Sequence, residues 1–319
     1  MKRNIYSYSK LWMILFVLMG AACTNQVEDA IPVSGQPIEF SVQSDWKEIP
    51  NTRLKDDGTQ FDPNDEIRIF GFYNMEKKFM YDVANPRKGQ LVTYDNGNWN
   101  YSPKRFWPKE GKLEFYASYP QNSVLNDADN RKMIYDQTDN PFKRDLLWGV
   151  TEMNCPSAQD RKKNVDITMV HALAKVKIIL DESLGKDIGS VIVSAYKTGS
   201  FFRTLDGGIP DWDVPDVEGN NIVATFYKYG DQKDKDLNEN NSLTVFILPK
   251  KIKGLQVWDD IYPYHKIYDS DDSDASQKIK DLTFEAGKVY NLKISKSTGV
   301  RKKNTNSRSI AMSVRCVSE

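Results

Sequence analysis

The chain has 319 residues, and its Lys plus Arg and Asp plus Glu balance at 44 each. That neutrality leaves no basic field to gather nucleic acid. Aromatic residues make up 12% of the chain, which with the many Val and Ile residues favours strands over helices, and the length suggests two domains of ordinary size.

The chain opens on a cationic stretch, Lys2, Arg3 and Lys10, followed by the uncharged apolar run Leu11 to Ala22 and then Cys23. A basic start, a short apolar run and small residues before a break describe a secretory signal over residues 1–22, too short to span a bilayer comfortably. Gly20, Ala21 and Ala22 directly before Cys23 look like a bacterial lipobox, although Gly20 stands where Leu is usual. Cys23 is therefore the expected lipidation site, and two acyl chains would hold the protein at an outer membrane. The competing reading is a short buried or membrane-anchoring helix. The polar residues Thr24 to Asp29 favour export, with residues 23–35 as a tether.

Ile38, Phe40 and Val42 alternate with Glu39, Ser41 and Gln43, the period of a half-buried strand. The polar stretch Asn51–Gly58 contains Arg53 and reads as an exposed loop. Strands are predicted at 66–73, 78–83 and 90–94, with an Asn-Gly hairpin turn over Asp95–Asn98 and a return through Trp99 and Tyr101. A further strand covers 112–119, and the segment 121–144 reads as loop with a short strand at 132–136. Asp166 to Leu180 is the most apolar run after Cys23; Ile167, Met169 and His171 share one parity and Val176, Ile178 and Leu180 the other. That shift within one run predicts a kink or bulge, and the β-branched alternation argues against the alternative of an amphipathic helix. Strands follow at 190–197, 199–205, 222–229, 242–248 and 288–294. The domain join is placed at 182, giving bodies over 36–182 and 183–296 and a tail over 297–319.

No catalytic constellation can be assembled. There are two histidines: His171 reads as a sheet histidine with one partner, and His265 as surface packing among Tyr262, Pro263, Tyr264 and Tyr268. No spacing resembles a zinc site, a phosphate loop or a nucleophile elbow. Two acidic loops, at Asp231, Asp234 and Asp236 and at Asp269, Asp271, Asp272 and Asp274, have oxygen ligands at spacings calcium can use. They lack the Gly and distal Glu of an EF-hand and read as solvated loops. Catalytic residues, metals and cofactors are accordingly expected to be none. Cys155 and Cys316 fit no known disulfide framework, and one bridge or two thiols both stay open. Trp46, Trp212 and Trp258 are candidates for stacking on sugars, although core packing explains most Trp residues equally well.

Several stretches, taken in order, carry a resemblance. They are Thr52-Arg53, Phe61, the strand 65–72, Trp99, Trp107-Pro108, the run Leu113 to Pro120, His171-Ala172-Leu173-Ala174-Lys175-Val176, and Phe284 to Leu292. Together they resemble the fimbrillin family, the Mfa-like subunits of type V pili, over roughly residues 36–296. The resemblance implies an all-β chain of two tandem transthyretin-like Greek-key β-sandwich domains. It implies no enzyme but a pilus subunit or adhesin at the cell surface. Its partners would be other pilus subunits, alike or different, and the membrane through a lipid anchor. It also implies that a trypsin-like protease removes the N-terminal strand after an Arg, and Arg53 matches that position. The strand displaced would carry Ile38, Phe40 and Val42. The tail presents Ile310, Met312, Val314 and Cys316 on one face and is the candidate donor strand, or else an additional edge strand of its own subunit. The alternative function is a non-polymerising surface lipoprotein that binds a host protein or glycan.

Overall fold

A computed structural model describes residues 31–44, 61–129, 131–139, 141–157, 163–185, 187–206, 208–271, 277–296 and 312–318. In chain order its strands are β1 (Val33–Pro37), β2 (Phe40–Ser44), β3 (Glu66–Tyr73), β4 (Lys77–Met80), β5 (Gln90–Asp95), β6 (Asn98–Asn100), β7 (Phe106–Pro108), β8 (Lys112–Tyr119), β9 (Val124–Asn126), β10 (Lys132–Asp136) and β11 (Leu147–Asn154). There follow β12 (Val165–His171), β13 (Ala174–Leu180), β14 (Ile188–Ala195), β15 (Thr198–Phe202), β16 (Trp212–Asp213), β17 (Ile222–Tyr227), β18 (Ser242–Ile247), β19 (Gly254–Asp259), β20 (Lys266–Asp269), β21 (Val289–Lys296) and β22 (Met312–Ser318). Helix among the described residues is limited to a 3₁₀ turn at Glu182–Leu184 and two short helices, α1 (Lys235–Asn240) and α2 (Gln277–Asp281). The expected all-β class is what the chain adopts.

The largest sheet runs in the order β2-β12-β11-β8-β3-β5-β6, with β4 added to β3. Its central strands are buried on both faces, which is why they read as nearly unbroken apolar runs. On β3, Ile67 and Ile69 enter one core while Phe70 and Phe72 enter another; on β8, Leu113, Phe115 and Ala117 oppose Tyr116 in the same way. The first core is closed by residues 31–44 and the aromatic strip Trp99, Tyr101 and Trp107. The second is closed by a four-stranded sheet of order β16-β15-β10-β9. Two further sheets, β18-β13-β21-β22 and β17-β14-β19-β20, enclose the third core.

Local chemistry explains several junctions. Asn96 and Gly97 both have positive φ, 50° and 83°, and join the paired residues Asp95 and Asn98 as the two-residue hairpin turn that Asn-Gly favours. Gly149 lies where a Cβ would come within 2.7 Å of Ile167 Cγ2 and 2.8 Å of the Thr168 carbonyl oxygen, so only glycine lets β11 and β12 pack this closely.

The parity shift within 166–180 is a turn between two strands rather than a bulge. β12 ends at His171 in the large sheet, buried Ala172 and Leu173 turn the chain, and β13 begins at Ala174 in a different sheet. The inward face therefore changes because the chain changes core. β13, which the sequence expectation placed before the join at 182, pairs with β18 and in parallel with β21.

Val176, Ile178 and Leu180 all point into the third core, and Ile178 is fully buried. Ile178→Ala should lower unfolding free energy by about 2–5 kcal/mol in a denaturant melt. Lys177→Ala, on the exposed face of the same strand, should stay within about 0.5 kcal/mol of the parent. Equal effects at the two positions would contradict this orientation.

Candidate functional site

Residues 31–44 occupy a seat along the edge of the large sheet. β1 pairs with β7, and the Lys109 amide donates to the Pro32 carbonyl at 2.9 Å. The chain then crosses to β12, where β2 lies parallel, with Phe40 opposite Val165, Val42 opposite Ile167 and Ser44 opposite Met169. β2 ends the hydrogen-bonded path of the sheet, so its ladder is one-sided among the described residues. The two ends of the sheet curl toward each other, because Tyr101, just beyond β6, reaches the crossing point. Its Oη donates to the Ile38 carbonyl at 2.7 Å, and the Ile38 amide donates to the Arg105 carbonyl at 2.8 Å. Burial pushes the Tyr101 hydroxyl up to about 12, which keeps it a donor at neutral pH.

Three side chains anchor the strand. Ile38, Phe40 and Val42 are 0%, 3% and 7% exposed. Phe40 meets Phe115 edge-on with ring centroids 5.3 Å apart and Tyr101 at 5.7 Å. Each such side chain stabilises the seated strand by about 1.5–3 kcal/mol, an upper figure given the compactness of unfolded chains. The outer face is polar: Lys104 Nζ lies 3.1 Å from both Glu39 carboxylate oxygens, an exposed pair that contributes little. The alternation of Ile38, Phe40 and Val42 was legible in the sequence. Tyr101 and Arg105, which hold the crossing point, were not singled out, and no local period marks a residue that bonds a backbone more than sixty positions away.

Of the other expected site residues, Cys23, Arg53 and Ile310 lie outside the described residues, as does Trp46. Met312, Val314 and Cys316 lie on β22, antiparallel to β21 of the same chain, opposite Lys296, Ile294 and Leu292. The structure thus brings Ile38, Phe40 and Val42 together and sets β22 on a different sheet. Cys155 packs beside the first core.

Several of the polar groups weighed for chemistry have local partners, while Asp272 and Asp274 lie outside the described residues. His171 Nδ1 bonds the Asp145 carboxylate; burial pushes that carboxyl up, and the His171 contact opposes the shift. His265 Nδ1 is 3.2 Å from Asp259 Oδ2 on the surface. Asp234 caps α1 by accepting from the Leu237 amide, and Asp269 takes Lys266 and Gln256. No cluster of three or more metal-ligating side chains occurs among the described residues. Trp212 lies against the second core and Trp258 is half-buried on β19.

The family model described as fimbrillin-like matches residues 52–311. The chain belongs to the fimbrillin-like family. No curated protein matches the sequence. Among solved structures, a candidate cell adhesion protein from Bacteroides uniformis is similar at 15% identity and a TM-score of 0.51, spanning 88% of this chain and 97% of that one. A fimbrial protein from Bacteroides vulgatus gives 12% identity and a TM-score of 0.46 over 89% and 98%. The fimbrial anchor protein Mfa2 from Porphyromonas gingivalis gives 10% and 0.40 over 87% and 94%. In this fimbrillin-like chain the matched span leaves out both the seated strip 31–44 and β22.

Proposed function

We propose that this fimbrillin-like chain is a non-enzymatic pilus subunit or cell-surface adhesin assembled by strand replacement. A cut after Arg53 would free residues 31–44 from the chain, and a strand from another subunit would take their place. The observation that carries this reading is the one-sided seat: a terminal strand, paired along one edge, fixed by three apolar side chains and one tyrosine hydroxyl. Such a strand leaves behind unpaired backbone groups and an apolar groove, which another strand can satisfy. Arg53 stands in the 16-residue stretch between β2 and Phe61 (residues 45–60), so a cut there severs the backbone that joins the strip to the body. Its docking then ceases to be intramolecular and loses that concentration advantage. The tail residues Ile310, Met312, Val314 and Cys316 are the donor in this scheme, leaving β21 to pair elsewhere.

The same reading places the protein at the cell surface, anchored in the outer membrane through lipid on Cys23, with other pilus subunits as partners. In this reading the domain join moves from 182 to Ala172–Leu173, a shift supported by the passage of the chain there from the large sheet to the sheet of β13. A second reading, a non-polymerising surface lipoprotein that binds a host glycan or protein, is favoured by Tyr262 and Tyr264. They are 86% and 60% exposed at the β19–β20 turn, with rings 6.1 Å apart and nearly perpendicular.

Cys23→Ala should move the protein from the membrane to the soluble fraction; an unchanged fractionation, with no acyl group found on the parent by mass spectrometry, would remove the anchor. Limited digestion with a trypsin-like protease should cut after Arg53 and yield ordered polymers visible by electron microscopy. Arg53→Ala should block both cleavage and assembly while shifting monomer stability by less than about 0.5 kcal/mol. Polymers formed equally by the variant would defeat the strand-replacement reading.

A further inference from the structure

Residues 31–44 are seated along the edge of the large sheet with Ile38, Phe40 and Val42 turned into the core on one face, while the core on the other face is covered by the sheet β16-β15-β10-β9, of which β15 and β16 come from the far half of the chain. β14 and β17 pair with each other in the C-terminal sandwich. Between them the chain leaves that sandwich, forms β15 and β16, and returns. β15 lies antiparallel on β10 through five residue pairs, from Lys132 opposite Phe202 to Asp136 opposite Thr198. Asn220 closes the neck of this excursion. Its Oδ1 accepts from the Thr198 amide at 2.8 Å, and its Nδ2 donates to the Thr198 and Pro215 carbonyls at 3.0 and 2.8 Å.

The contacts made by the excursion are those of a core, not of a surface loop. Phe201 stands edge-on to Trp148 of β11 at 4.9 Å and to Trp212 at 4.8 Å. Trp212 Nε1 donates to the Ala172 carbonyl at 2.7 Å, at the point where the chain passes between sheets. Arg203, the residue after β15, stacks its guanidinium on Phe72 of β3 at 3.5 Å and donates to the Met75 carbonyl at 3.0 Å. It also lies 3.6 Å from the Glu114 carboxylate of β8, which accepts from Tyr116 Oη at 3.0 Å. Arg203 and Glu114 side chains are 8% and 3% exposed. A buried charge pair is poor evidence for raw stability, but its geometry fixes which surfaces meet.

We propose that the β15–β16 excursion is a brace: seated on the face of the large sheet opposite residues 31–44, it keeps β3, β8 and β11 folded when that seat is emptied. The argument is one of faces. Phe70, Phe72, Tyr116 and Trp148 point away from the seat and into the braced core. Losing Ile38, Phe40 and Val42 removes contacts only from the opposite face. A sheet with a single cover would lose its core when the cover left, whereas this one retains a second. The proposal rests on the strand-replacement reading for its use in assembly, but its test does not.

The seat can be emptied in the full chain without any protease. Phe40→Asp puts an unpaired carboxylate into a closed apolar core, which expels the strand. Amide hydrogen exchange then reads each strand separately. In Phe40→Asp, β2 amides should lose protection while those of β3, β8 and β11 keep it. In Phe40→Asp with Arg203→Met, protection of β8 and β11 should fall to that of β2, while Arg203→Met alone keeps them protected. Trp212→Ala, which removes no charge, replaces Arg203→Met should that variant fail to fold alone. Loss of β8 and β11 protection in Phe40→Asp by itself, or its survival in the double variant, would overturn the brace. Neither result depends on whether cleaved chains polymerise.

Discussion

The large sheet has to be covered twice. β3 and β8 place apolar side chains on both faces, Ile67, Ile69 and Phe115 on one and Phe70, Phe72 and Tyr116 on the other. An apolar face left to water costs about 25 cal/mol for each Å² exposed. The chain meets this constraint with two covers of different kind. One is the strip 31–44, and the other is a four-stranded sheet in which β15 and β16, an excursion from the far half, join β9 and β10.

The two covers differ in how they are held. The strip 31–44 pairs along one edge and carries few side chains inward, so its loss disturbs one core. The excursion is ended on both sides by strands of the C-terminal sandwich, tied at Asn220 and locked by Arg203 and Trp212. A part that is to be exchanged must be attached weakly enough to leave, and the body it leaves must be held elsewhere. That division of labour is what the proposed strand replacement requires.

Much of this was legible in the sequence, and the gaps have physical causes. The strands 66–73, 112–119 and 132–136 coincide with β3, β8 and β10, because long apolar or alternating runs bounded by turn residues leave little freedom. β11 was missed because Gly149, demanded by the approach of Ile167, and the polar Thr151 and Glu152 break its pattern. β9 and β16 are two or three residues long, too short for a period to show. Partner choice was the least legible feature. Nothing local in Phe40–Ser44 says that it lies parallel to Val165–Met169, and nothing in Thr198–Phe202 says that it completes a sheet begun at Val124. The face of the displaced strand was visible as Ile38, Phe40 and Val42, while the hydroxyl of Tyr101 that secures it was not.

The central claim is that residues 31–44 form an exchangeable part of an otherwise self-supporting body. It is tested most directly by fluorescence anisotropy, using a labelled peptide of residues 31–44 and chain cut in the 45–60 segment. The account predicts that the cut chain takes up the peptide, that unlabelled peptide competes, and that a peptide carrying Phe40→Asp does not enter. A cut chain that keeps its fold yet takes up no peptide, or one that unfolds once the strip has left, would contradict it.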